Sequence, residues 1–160
     1  MKISAKDIAQ IGIMSAALSA GKFVLSFLPN IEIVTLLFIL YTIYFGRKAI
    51  LSVFVFIALE CMIWGFGLWA IMYLYIWPGL VCAALIYRKK ESALFWALFA
   101  GIFGLAYGGL CSLTYFITSG INAGISWWIA GIPFDIVHGV SNFIITLILF
   151  NPLNSAMKKI

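Results

Sequence analysis

The chain has 160 residues, of which 65% are hydrophobic and 9% charged, and its formal net charge is +5. That apolar content excludes an ordinary soluble domain and leaves no polar stretch long enough to form a second one. The basic balance carries no nucleic-acid meaning, because membrane topology and attraction to anionic lipid headgroups account for it.

Basic residues occur in four clusters: Lys2/Lys6, Arg47-Lys48, Arg88-Lys89-Lys90 and Lys158-Lys159. Such clusters stay on the cytoplasmic side of a membrane, so the apolar stretches between them cross in pairs. The expected fold is an all-α membrane protein, one domain over 1–160, with six transmembrane helices and both termini cytoplasmic.

The first helix is placed at 5–28. Its apolar run, Ile8 to Leu28, contains Lys22 and no persuasive cleavage site, so it reads as a retained helix and not a signal peptide. Gly12, Ala16 and Ala20 recur every four residues and form a flat stripe where another backbone can approach, in this chain or in a partner. After the outward turn Pro29-Asn30, the second and third helices are placed at 31–45 and 49–64. Both are short, but merging them would bury Gly46-Arg47-Lys48 in lipid at several kcal/mol.

Beyond Gly65-Phe66-Gly67 the fourth helix, 69–87, carries Trp69, Tyr73 and Trp77 at steps of four. The fifth, 92–118, carries a glycine stripe at Gly101, Gly104 and Gly108, suited to tight packing within the bundle, and ends with Tyr107, Cys111 and Tyr115. An outward loop is expected from Ser119 to Ile125. The sixth helix, 126–150, opens with Trp127-Trp128 and places Trp128, Asp135, His138 and Asn142 on one face. The cysteines Cys61, Cys82 and Cys111 lie in apolar runs without metal-ligand spacing and read as small buried hydrophobes.

Lys22, Glu60 and Asp135 read as the charges well inside the spans, at about 9, 6 and 13 Å below the outer helix ends. A charge at such depth needs a partner, a cavity or a function, and one lysine neutralises only one carboxylate. An outward-facing small-molecule pocket follows, with Lys22, Glu60, Asp135 and His138 supplying polar contacts. Trp64, Trp69, Tyr73, Tyr115, Trp127 and Trp128 are expected to enclose the ligand. The net negative charge favours a cationic or donor-rich ring. No catalytic, phosphate-binding or redox motif is found, so neither an enzyme nor a cofactor or metal is expected.

With these features the chain resembles the S components of energy-coupling factor (ECF) vitamin transporters. The resemblance rests on chain size, the Gly12/Ala16/Ala20 stripe, the outward polar and aromatic residues, and the stretch Gly131-Ile-Pro-Phe-Asp135-Ile-Val-His138-Gly-Val-Ser-Asn142-Phe. It implies a plasma-membrane subunit that captures a water-soluble vitamin or related heterocycle. It also implies as partners a transmembrane coupling protein, docked on Gly12, Ala16 and Ala20, and two cytoplasmic ATPases whose hydrolysis topples the subunit in the membrane. A stand-alone carrier, a structural subunit and an intramembrane enzyme using Asp135/His138 are the alternatives.

Overall fold

Residues 3–159 are described by a computed structural model of the chain, and among them six α-helices and one 3-10 turn occur without any strand. The helices are α1 (Ala5–Val24), α2 (Val34–Phe45), α3 (Ala49–Trp64), α4 (Leu68–Tyr87), α5 (Ala93–Ser119) and α6 (Ile121–Met157). The 3-10 turn Gly46–Lys48 joins α2 to α3. Lys2, one half of the first basic cluster, lies outside the described residues.

Local chemistry sets the helix starts. Ser4 caps α1 by accepting from the Asp7 amide at 3.2 Å, while the Asp7 carboxylate accepts from the Ser4 amide at 3.0 Å. Asp7 also pairs with Lys48, tying the start of α1 to the turn before α3. Ser92 caps α5 through the Phe95 amide.

Two boundaries differ from expectation. The first helix ends at Val24 instead of 28, because Pro29 disfavours helix in the residue before it and Asn30 takes a left-handed φ of 60°. Residues 25–33 therefore form an irregular loop. At the other boundary the expected loop from Ser119 to Ile125 contracts to Gly120, whose φ of 88° alone reverses the chain. Helix α6 therefore starts five residues early, and it also runs seven residues past its expected end, to Met157, so that it has 37 residues and a length of about 55 Å against the 25 residues expected. Lys22 now lies about 3 Å from the end of its helix, and Asp135 about 21 Å from the start of α6.

Helices α4, α5 and α6 are each long and apolar enough to cross a membrane. Helices α2 and α3, with 12 and 16 residues, are about 18 and 24 Å long, less than the hydrocarbon thickness of about 30 Å. Large apolar side chains on the long helices, including Ile86, Ile102, Ile117, Phe134 and Ile148, face outward and exposed. Exposed apolar surface on that scale fits a membrane protein.

The most extensive pairing is α5 with α6. A Cβ added to Gly104 would lie 2.8 Å from the Gly139 backbone, so the two helices meet nearly backbone to backbone along the expected internal glycine stripe. Leu18, Phe38, Val53, Phe56, Trp77 and Leu80 fill the space between α1, α2, α3 and α4. Ser15 of α1 donates to the Ser52 carbonyl of α3 at 3.1 Å. Gly12, Ala16 and Ala20 are exposed on the opposite face of α1.

The four basic clusters, apart from Lys2, gather at one end. Lys48 bonds Asp7, the Arg88 guanidinium reaches Gly46, and Arg88, Lys89, Lys90 and Lys158 border one cleft beside Tyr44 and Asn154. Lys22 and the loop 25–33 occupy the other end.

Candidate functional site

Two buried polar networks meet beneath the loop 25–33. The first begins at Lys22 in the last turn of α1, which pairs with Glu60 of α3 and lies 5.4 Å from the ring centre of Trp69 and 5.0 Å from that of Tyr73. Glu60 is 1% exposed, and its second oxygen has no protein partner. Lys22 is thus answered by Glu60 and not by Asp135.

The second network centres on Glu32. Its carboxylate accepts from the Thr35 amide at 2.9 Å, from the Thr35 hydroxyl at 2.5 Å and lies 3.2 Å from His138 Nε2. Burial pushes the Glu32 carboxyl up, but His138 and Thr35 together outweigh it and hold the group below its ordinary range. Asn142 donates to the Thr35 hydroxyl at 3.2 Å, and Ser141 donates to the Asn30 carbonyl at 2.9 Å. The loop and the start of α2 are thereby fastened to α6.

Glu32 is the charged cavity residue that sequence reasoning missed. Nothing in the sequence marked it, since Glu is not among the preferred N-cap residues and follows closely on the turn Pro29-Asn30.

Between these networks lies a cavity of about 260 Å³, lined by Lys22, Glu32, Tyr73, Trp77, Tyr107 and His138 under the loop. Trp77 is 3% exposed and His138 4%, and Trp77 Nε1 and His138 Nδ1 have no protein partner. The wall thus combines an ammonium and a carboxylate with the Trp77 and His138 rings, each of which carries a buried nitrogen without a protein partner.

A second cavity, about 340 Å³, lies on the other side of Tyr107 and Asn30, which border both. Asp135 lines it with Trp127, Cys111 and Phe134. Asp135 Oδ1 accepts from the Gly108 amide at 2.8 Å, and Oδ2 has no partner. Asp135 and His138, expected to serve one pocket, border different ones: Asp135 is bonded to Gly108 of α5 and His138 to Glu32, with Tyr107 and Asn30 between the two cavities.

The remaining expected residues divide similarly. Tyr73 lines the first cavity and Trp127 the second, while Tyr115 stacks behind Trp127 with ring centres 4.1 Å apart. Trp69 and Glu60 sit behind Lys22 and line neither cavity. Trp64 and Trp128 also line neither: Trp64 ends α3, half-exposed beside Phe23, and Trp128 leans over Gly109 on the outside of α5. Trp77 and Tyr107, read in the sequence as parts of aromatic stripes, take their places in the wall. Cys82 is exposed, contrary to the expectation of three buried thiols, while Cys111 is buried.

Among the described residues no three His, Cys, Asp or Glu side chains are grouped to hold a metal ion. Comparison with protein-family models finds no match. No curated protein and no solved structure matches the chain either.

Proposed function

We propose that the protein is a membrane substrate-binding subunit that captures a small polar heterocycle, such as a water-soluble vitamin, in the cavity under the loop 25–33. In this reading the six helices cross the plasma membrane, both termini face the cytoplasm, and the capture site faces outward. Uptake then depends on a transmembrane coupling protein and two cytoplasmic ATPases, with Gly12, Ala16 and Ala20 as the docking stripe. The observation that carries the reading is a single cavity lined by an ammonium, a carboxylate, an imidazole and two large aromatic rings: Lys22, Glu32, His138, Trp77 and Tyr107. Leaving a buried polar group unpaired costs about 1–3 kcal/mol, a penalty that a ligand with matching acceptors and donors removes. A volume of about 260 Å³ lies just below the usual range for ligand pockets and limits the occupant to a compact ring system.

Binding is favoured over catalysis by the way the acid–base candidates are engaged. His138 is turned to Glu32 and Asp135 to the Gly108 amide, with no hydrogen bond between the two and no protein hydroxyl or thiol bonded to either side chain. No nucleophile–base pair is assembled there.

Native mass spectrometry of the detergent-purified chain against a panel of water-soluble vitamins and their heterocyclic precursors tests the proposal. One ligand should bind at micromolar concentration or tighter, and Trp77→Phe should weaken it about fivefold or more, as expected for one lost hydrogen bond. Failure of every panel member to bind at that level would sink the capture reading. Transport in proteoliposomes without any ATPase would favour a stand-alone carrier.

A further inference from the structure

We propose that the second cavity is a binding site for a small organic cation, an aromatic ammonium or amidinium, with Asp135 as its counter-ion. The inference stands independently of what the first cavity captures.

It starts from the state of the Asp135 carboxylate. The residue is 6% exposed, yet among the described residues it takes part in no ion pair, since Lys22 is engaged by Glu60, Lys48 by Asp7 and His138 by Glu32. One oxygen is held at 2.8 Å by the Gly108 amide, while the other is buried with no protein partner. A carboxylate so placed is fixed in direction and undersatisfied, which is the condition for recognising a positive donor.

The facing helix is shaped to receive the carboxylate. A Cβ added at Gly108 would collide with both carboxylate oxygens, so the absence of a side chain there lets Asp135 reach the α5 backbone. The rest of the wall is apolar and aromatic, with Trp127, Tyr107 and Phe134 around about 340 Å³. Indole and phenol faces attract cations most strongly where water is excluded, and rings of this kind beside one carboxylate form a familiar recognition chemistry for organic ammonium groups. Ala130 and Phe134 are exposed on α6, so the cavity is reached along that helix.

Isothermal titration calorimetry on the purified full chain tests this with phenethylammonium, its neutral analogue 2-phenylethanol and the anion 3-phenylpropionate. Phenethylammonium should bind saturably, the anion should not, and the neutral alcohol should bind at least about tenfold more weakly than the cation. Asp135→Asn, which keeps an acceptor for the Gly108 amide, should weaken cation binding about tenfold or more, whereas Glu91→Gln at the basic end should leave it unchanged. Equal affinity for the three probes, or cation binding that survives Asp135→Asn, would overturn the proposal. So would loss of cation binding in Glu32→Gln but not in Asp135→Asn, which would move the cation into the first cavity. If Asp135→Asn is not monodisperse, Ala130→Leu narrows the cavity from the exposed face and leaves the carboxylate in place. Weaker cation binding in that variant supports the site, and unchanged affinity rejects it. Vitamin capture measured by mass spectrometry is a separate readout, so either idea can fail alone.

Discussion

Lys22 and Glu32 show how a buried charge is made tolerable by a partner from a distant part of the chain. Glu60→Gln removes the counter-ion of Lys22 and leaves an ammonium facing aromatic rings. Breaking a fully buried pair costs about 3–5 kcal/mol, but Lys22 keeps about a quarter of its side chain exposed, so a loss of about 1–3 kcal/mol is expected. Thermal unfolding in detergent should register it, and ligand affinity should fall with it. Recovery of the proposed coupling protein on copurification should not change. Glu32 predicts a pH dependence of defined sign. Its carboxyl is held below the ordinary value of 4.5, so its contribution to stability is complete above that pH and is lost as pH falls below it, through the lowered folded value. Unfolding followed from about pH 6 to pH 3 should show a loss below 4.5 that Glu32→Gln reduces; an identical profile for the variant would contradict the assignment. Lys22, Glu60 and Asp135 were legible in the sequence because each interrupts an apolar run. Glu32 was not, because beside Pro29-Asn30 an acid resembles an ordinary loop residue, and only its neighbours in space reveal its burial.

Helices α5 and α6 derive their pairing from missing side chains. Gly104→Ala would push a methyl group against the Gly139 backbone, which cannot rotate away as a side chain can, and should destabilise the chain by about 1–3 kcal/mol. A melting temperature equal to that of the unmodified chain would show that the helices separate more easily than this contact implies. On α1 the small residues face the other way: Gly12 has nothing within 4 Å of an added Cβ, and Ala16 and Ala20 are exposed. Ala16→Trp should therefore leave folding and ligand affinity intact while blocking copurification of the proposed coupling protein. Loss of ligand binding with normal partner recovery would return the stripe to packing within the chain. Element positions were readable from apolar length and basic punctuation. The extent of α6 was not, because Ser119, Gly120, Asn122 and Gly124 spell a loop by composition, while only Gly120 leaves helical geometry.

Charge and aromatic chemistry divide the whole molecule along its length. Lys6, Arg47, Lys48, Arg88, Lys89, Lys90, Lys158 and Lys159 belong to one end; Lys22 is the remaining described cation, at the other, beside the cavity under the loop. In a background with Cys61, Cys82 and Cys111 replaced by Ala, Ser119→Cys should react with a membrane-impermeant maleimide added to intact cells. Glu91→Cys should react only after permeabilisation. The reverse pattern would invert the proposed orientation. The gathering of the cations at one end was legible from the spacing of Lys and Arg alone, whereas the division of the polar interior into two cavities depends on which way Tyr107 and Asn30 project, and periodicity carries no such information. The gathered cations also have a mechanical consequence. Each Lys or Arg near an anionic bilayer surface contributes about 1 kcal/mol of attraction, so eight of them together form a keel that resists capsizing. In the proposed orientation a molecule ballasted in this way resists rolling over by thermal motion, and the tilt proposed to carry its cavity across the membrane has to be driven from outside the chain.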